Sequence, residues 1–317
     1  MNFQLTRTLV AAVCLSAMSS ALTAEEWTPP GPIEMRISFG AGGGTDTQAR
    51  LIAEELEARK GWKIIPVNVP GNGGLTMAFD LTDAPTDGTV IGFGVSGTLG
   101  YTLAVSDAPL KPTDFTPLLT TAAADMALVV SADSGWKTFD DVVAAAKGGQ
   151  NIRAGAIAAQ LADVTYLLAK SQGVNFSIAN VKGGRAMMNA LQAGDMDIGF
   201  LAGIQAKAVS DGSLIELVSG MTRPLRLTPD APLLADYGVN HPLETYFMVY
   251  GPKDMDPAAT EAIKAAIAEI VADPESKAGA ALARIFGGAT VVTGDALVDQ
   301  IQSDYDGASA LLEEASQ

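Results

Sequence analysis

A chain of 317 residues, 48% of them hydrophobic, can build large cores and is long enough for about two domains. Acidic side chains number 36 against 20 basic ones, for a net charge of −16, which excludes the basic stripe that a nucleic-acid surface needs. An anionic small ligand must therefore be held locally, against the field of the whole molecule.

Residues 1–24 have a polar start with Arg7, an apolar run over 9–18 and small residues before Glu25. This is the pattern of a cleavable signal peptide, with cleavage expected after Ala24. A membrane anchor is the competing reading, but the run is shorter than the ~20 residues that span a bilayer. The single cysteine, Cys14, lies in this segment behind Val13, which is not the small residue of a lipoprotein site. The mature chain is expected to be a soluble, exported, monomeric protein, periplasmic in a Gram-negative bacterium.

From Glu34 the chain reads MRISF, TDTQARLIAEELEARK, KIIPVNV, LTMAFDLTDA and TVIGFGV, short apolar runs alternating with helical patterns. That alternation marks β/α units on a mostly parallel sheet. In the first helix Ala49, Leu51, Ile52 and Leu56 recur at helical spacing, Glu54 and Glu55 fall on the wet face, and Gly61 is placed to end it. A second set runs from Met126: ALVVSA, FDDVVAAAKGG, NIRAGA, ADVTYLLAKSQG, FSIANV, a helix from about Arg185, and DIGFLA. A short helix APLLADYG, a strand TYFMVYGP, and two long helices separated by the strand-like ATVVTG complete the chain. The fold class is α/β, with two lobes: 25–123 with 246–317 forming one, 124–245 the other. Crossings are expected near 120–127 and 243–249, with a ligand cleft between the lobes.

The stretch FGAGGGTDTQAR opens the first helix. Gly42, Gly43 and Gly44 permit positive φ and close approach to the backbone, and Thr45 or Asp46 could cap the helix. Free N–H groups at such a start favour an anion; a tight turn without ligand is the alternative. A P-loop would need a lysine after the last glycine, where Thr45 and Asp46 stand. The spacing of Gly40, Gly42 and Gly44 is not the dinucleotide fingerprint, and Asp46 would repel a pyrophosphate. A carboxylate is the more tolerable guest.

The order of motifs resembles the substrate-binding proteins of tripartite tricarboxylate transporters, the Bug family. Phe39, Gly42, Gly43, Asp46, Ala49 and Arg50 match its first loop, Asn68, Pro70, Gly71, Gly73 and Gly74 its Asn-x-Pro-Gly-x-Gly-Gly turn, and Pro85, Asp87 and Gly88 its Pro-x-Asp-Gly segment. TDFTPLL, WKTFDDVVAAAK, VKGGRAMMNALQAGDMDIGF and PDAPLLADYG follow in the family's order. The resemblance implies two α/β lobes of the periplasmic-binding-protein type around a cleft, a small organic carboxylate as ligand, and integral-membrane permease subunits as partners. With His241 the sole histidine and no cysteine in the mature chain, neither a typical zinc site nor a Cys/His or Ser/His/Asp set can be assembled, and no cofactor, metal or catalysis is expected. The first loop is then 39–46, with the backbone of Gly43, Gly44 and Thr45 donating to a carboxylate. The second is 154–163, with Ala158, Ala159, Gln160 and Asp163.

The second loop departs from the family's pattern. Ala158 and Ala159 supply no hydroxyl, Asp163 stands where many relatives have histidine, and Val181 replaces a usual tyrosine. Fewer side-chain donors imply more backbone contacts or a more apolar ligand. Asp163 is read as a helix cap, or as a partner for an amino group on the ligand. Lys182 and Arg185 would neutralise a distal carboxylate or lie at the surface, and Ser96, Thr98 and Phe200 are expected to face the cleft. His241 is expected to be structural or exposed, and Glu313 and Glu314 to be solvated. A receptor for a sensor kinase, or a hydrolase using Asp46 as base, are the other functions weighed.

Overall fold

The computed structural model describes residues 27–316, so the signal peptide expected over 1–24 lies outside the described residues. The first run comprises β1 (Ile33–Ile37), α1 (Gly44–Lys60), β2 (Ile64–Asn68), α2 (Leu75–Thr82), β3 (Val90–Val95) and β4 (Phe115–Ala123). The second comprises β5 (Met126–Ser131), α3 (Phe139–Lys147), β6 (Ile152–Ala156), α4 (Ala159–Ser171), β7 (Phe176–Asn180), α5 (Gly184–Ala193), β8 (Ile198–Ala202), α6 (Ala206–Ser210) and β9 (Leu214–Ser219). The strand β10 (Tyr246–Pro252) and helices α7 (Pro257–Ala272), α8 (Lys277–Phe286) and α9 (Gly294–Ser316) complete the chain.

Two five-stranded sheets result, in the orders β2-β1-β3-β10-β4 and β7-β6-β8-β5-β9. In each, the first three strands are parallel. The fourth, β10 or β5, runs antiparallel to both of its neighbours. That fourth strand is the one that follows a passage from the other sheet. The chain leaves the first sheet through Ala124 and Asp125 and returns along 220–245. The two passages are tied where the Ala124 N–H donates to the Thr245 carbonyl at 2.8 Å. This is the two-lobed α/β fold that the alternation of patterns implied.

The apolar residues at helical spacing in α1 explain its docking. Ala49, Ile52 and Leu56 are fully buried against Ile33, Met35 and Ile37 of β1 and against Ile263 and Ile267 of α7. Gly61 ends α1 with φ 69° and donates its N–H to the Glu57 carbonyl, a conformation that costs glycine little. Glu54 and Glu55 are not merely solvated: they bond the ammonium and the peptide N–H of Lys277, and Glu55 also pairs with Arg59. Together they hold α8 against α1.

Helix α9 is not confined to one lobe. Leu297 and Ile301 pack with Met248 and Tyr250 of β10, while Ala308 and Leu311 join Leu128 and Phe200 in the core of the second lobe. His241 holds its far end through a 2.8 Å bond to Glu314, so Glu314 is a tie across the return passage and not a free surface charge. The strand-like ATVVTG forms no regular strand. Thr290 N donates to Thr121 O and Thr120 N to Val292 O, but the Thr120 hydroxyl bonds the Thr290 carbonyl and the Val292 N–H and a side chain replaces the next rungs. The expected helix near 231–238 is a single 3-10 turn, Leu234–Tyr237.

Because Ile52 is wholly enclosed by β1 and α7, Ile52→Ala is expected to cost about 2–5 kcal/mol. Denaturant titration should show a lower midpoint with an unchanged slope.

Candidate functional site

Three helices of eight or more residues begin with a side-chain cap: Thr138 before α3, Asp256 before α7 and Ser276 before α8 each accept from a backbone N–H. Four others do not, among them α2, which Gly74 precedes; the other three share a feature. Gly43 precedes α1, Ala158 precedes α4 and Gly183 precedes α5, and none has a side-chain cap. The first N–H groups of these helices find no acceptor among the described residues. Helix α1 belongs to the first sheet's layer, α4 and α5 to the second's. All three starts line one cavity of about 780 Å³, its open mouth included, through Gly43, Gly44, Thr45, Ala158, Gln160, Leu161 and Gly184.

The loop before α1 is held from behind. The Asp46 carboxylate accepts from the Gly42 N–H at 2.8 Å, from Arg50 Nε at 2.8 Å and from Asn68 Nδ2 at 2.9 Å. Asn68 also donates to the Phe39 carbonyl, and Arg50 to Asn68 Oδ1. Asp46 is therefore buried behind the loop, its charge balanced by Arg50, and it neither caps α1 as first expected nor lines the cavity. Gly42, with φ 76°, supplies the turn, and its face is covered by Arg185, whose Cγ would lie 3.7 Å from an added Cβ. Opposite, Gly74 has φ 101°, and a Cβ there would stand 2.5 Å from Thr98 Oγ1. The Thr98 hydroxyl donates to the Gly73 carbonyl at 2.8 Å.

Of the residues singled out in the sequence, Phe39, Gly43, Gly44, Thr45, Thr98, Ala158 and Gln160 line the cavity. Ala159 lines an adjoining chamber. Phe200 does not face the cleft: its ring is fully buried in the second lobe's core, because the inward-pointing position on β8 packs against β5. Ser96 is likewise enclosed, accepting from the Tyr246 N–H between β3 and β10. Asp163 neither caps α4 nor reaches the cavity. It lies within the helix and accepts from the Tyr101 hydroxyl at 2.6 Å. Burial, and then this carboxylate, push the Tyr101 hydroxyl far above its ordinary value. Lys182 is exposed, with only its carbonyl near the first loop. Gly73, marked only as part of the Asn-x-Pro-Gly-x-Gly-Gly turn, also lines the cavity, as do Thr102, Thr245, Phe247 and Ile204, which no sequence pattern marked as site residues. They come from a turn, a helical kink, the return passage and two strand ends, and share no periodicity.

A two-lobed α/β protein with a cavity at facing helix starts is the class that this fold and geometry define. The model of the tripartite tricarboxylate transporter family receptor matches residues 48–283, and the chain belongs to that family. The UPF0065 protein in the gbd 5' region of Cupriavidus necator is 30% identical over 253 residues, 78% of this chain and 76% of that protein. Among solved structures, the periplasmic binding protein BugD is similar with a TM-score of 0.81 at 20% identity, over 91% of this chain and 99% of that one. The malate-bound MatC of Rhodopseudomonas palustris gives 0.78 at 18%, over 90% and 100%. A second R. palustris protein, solved with adipate, gives 0.80 at 20%, over 91% and 98%.

Behind the cavity, Gly97 and Gln160 also border a chamber lined by His241, Glu244, Gln300 and Asp304. Burial raises the Asp304 carboxyl to about 6 from 3.8, against a bond from Gln300 that lowers it, and Glu244 adds to the rise. A folded-state value above the unfolded one means that folding favours protonated Asp304. That contribution is complete below about 3.8 and is lost as pH rises through about 6. Asp304→Asn should therefore be near neutral at about pH 4 and stabilising by on the order of 1 kcal/mol at about pH 7.5, allowing for solvent screening. Melting temperature against pH for the two proteins is the check.

Proposed function

We propose that this chain is an exported solute receptor. It captures a small organic anion by its carboxylate in the interlobe cleft and delivers it to the membrane subunits of a tripartite tricarboxylate-type transporter. The observation that carries this reading is the convergence of three uncapped helix starts, drawn from both lobes, on one cavity. A helix start stabilises an anion by about 0.3–1 kcal/mol at a surface and up to ~2 when partly buried, and each bond to a charged group adds about 1.5–3 kcal/mol. A carboxylate satisfying α1 together with α4 or α5 does so fully only when the lobes are closed. Binding then shifts a hinge equilibrium by the difference in affinity between the two states.

The family's receptor character and the malate and adipate held by its structural neighbours support a carboxylate ligand here. A hydrolytic role for Asp46 is disfavoured, because its carboxylate is engaged by Gly42, Arg50 and Asn68 behind the loop.

The test is a thermal-shift screen of mature, ligand-stripped protein against aliphatic and aromatic carboxylates. A ligand at about 100 times its Kd stabilises by roughly 2.7 kcal/mol, a visible shift; silence across the panel from folded protein counts against the reading. Gly43→Val should then weaken the best ligand by at least about tenfold, or about 1.4 kcal/mol. Its backbone (φ −79°, ψ 176°) accepts valine, and a Cβ meets the Gly40 carbonyl at 3.4 Å and the Arg185 N at 4.0 Å, both ordinary contacts, so unliganded protein is expected to keep its fold.

A further inference from the structure

We infer that Arg226 is an interlobe clasp: from the second lobe it grips the end of helix α8 in the first, and through Phe286 it holds the lobes in the geometry that assembles the site. The segment carrying Arg226 is anchored to the second lobe on either side of it. Leu225 is fully buried with Met187, Leu191 and Leu201, and the Thr228 hydroxyl donates to the Glu216 carboxylate of β9. Helix α8 belongs to the first lobe, where Ala278 and Leu282 are buried with Ile52 and Ile263.

The last carbonyls of a helix have no partner within it, and they form the negative end of its dipole. At the end of α8 that need is met from the other lobe. Arg226 Nη2 donates to the Arg284 carbonyl at 3.3 Å and to the Ile285 carbonyl at 3.1 Å. Its Cδ covers Gly287, where the chain turns with φ 83° and an added Cβ would lie 3.3 Å from it. The guanidinium is steadied from behind by the buried Asp125 on the outgoing passage. That carboxylate lies 4.0 Å from Arg226 Nε and accepts from Arg223 Nη1 at 3.1 Å.

The grip falls one residue before Phe286, whose ring stands between the two lobes. On one side it packs on Phe247, with ring centroids 4.8 Å apart, and a Cβ added to Gly44 would meet both rings at 3.4 Å. Gly44 and Phe247 line the cavity, whereas Phe286 and Arg226 do not. On the other side, a Cβ on Gly203, just past β8 of the second lobe, would stand 2.6 Å from the Phe286 ring, so the contact needs glycine there. Parting the lobes breaks two charge-assisted bonds and lifts Phe286 from Gly203. On the receptor reading above, Arg226 is then a positioning residue that adds to affinity without touching the ligand.

Pulsed electron double resonance on the mature, ligand-stripped chain tests this and needs no ligand, so its failure leaves the receptor reading standing. That chain has no cysteine of its own. Ala58→Cys on α1 and Asn189→Cys on α5, both exposed, therefore put one spin label on each lobe. With Arg226 in place a short-distance population should be present, and Arg226→Ala should lower the ratio of short to long distances by about tenfold, roughly one hydrogen bond from a charged donor. Arg226→Lys, which keeps the charge but not the forked donors, should recover part of the loss. An unchanged ratio in folded Arg226→Ala overturns the inference even if the variant melts earlier, because a merely local role would lower stability without moving the labels. Long distances alone in the wild-type chain overturn it too. Gly203→Ala presses on Phe286 from the opposite lobe and should shift the ratio the same way; an unchanged ratio there overturns the inference whether or not Arg226→Ala folds.

Discussion

A peptide N–H taken from water must find an acceptor, or it costs the fold about as much as a lost hydrogen bond. Elsewhere the chain meets this at its helix starts with Thr138, Asp256 and Ser276. At Gly43, Ala158 and Gly183 it does not. Replacing a capping side chain by alanine commonly costs about 0.5–2 kcal/mol, by glycine a few tenths, so these starts are weaker than they need be for stability alone. What they leave is a cluster of N–H donors that faces one cavity without a capping side chain in front.

Donors are useful only if the ligand does not have to organise them first. The network of Asp46, Arg50 and Asn68 grips the loop before α1 at Phe39 and Gly42 and leaves Gly43, Gly44 and Thr45 facing forward. It also resolves an apparent conflict. A carboxylate at the start of a helix meant to hold an anion is repulsive on paper, yet here it is turned behind the loop and balanced by a guanidinium. The Thr98 segment supports the opposite wall in the same manner, its hydroxyl bonded to the Gly73 carbonyl.

Several structures join the lobes across the cleft. Ala124 and Thr245 bond the two crossing passages directly. Tyr101, from the chain's first half, is buried in the second lobe's core and bonded to Asp163. Helix α9 packs on both lobes through Leu297 and Ile301 at one end and Ala308 and Leu311 at the other.

The alternation of apolar runs and helical patterns determined two α/β layers, because period 2 and period 3.6 are local properties of burial. The glycine run after β1, a local property too, marked a helix start without a side-chain cap, and the motif order marked the family. Side-chain direction was not legible: Phe200 sits mid-strand in β8 and Ser96 just past the end of β3, and only the packing of β8 on β5 and of β3 on β10 shows that they point inward. Nor was Asp163 legible, since its partner Tyr101 lies 62 positions away in sequence. The cavity lining was likewise decided only by the tertiary structure. It is assembled from Thr102, Ile157, Ile204, Leu243 and Phe247, residues that no sequence period relates and that meet only where two lobes, threaded twice by one chain, come face to face.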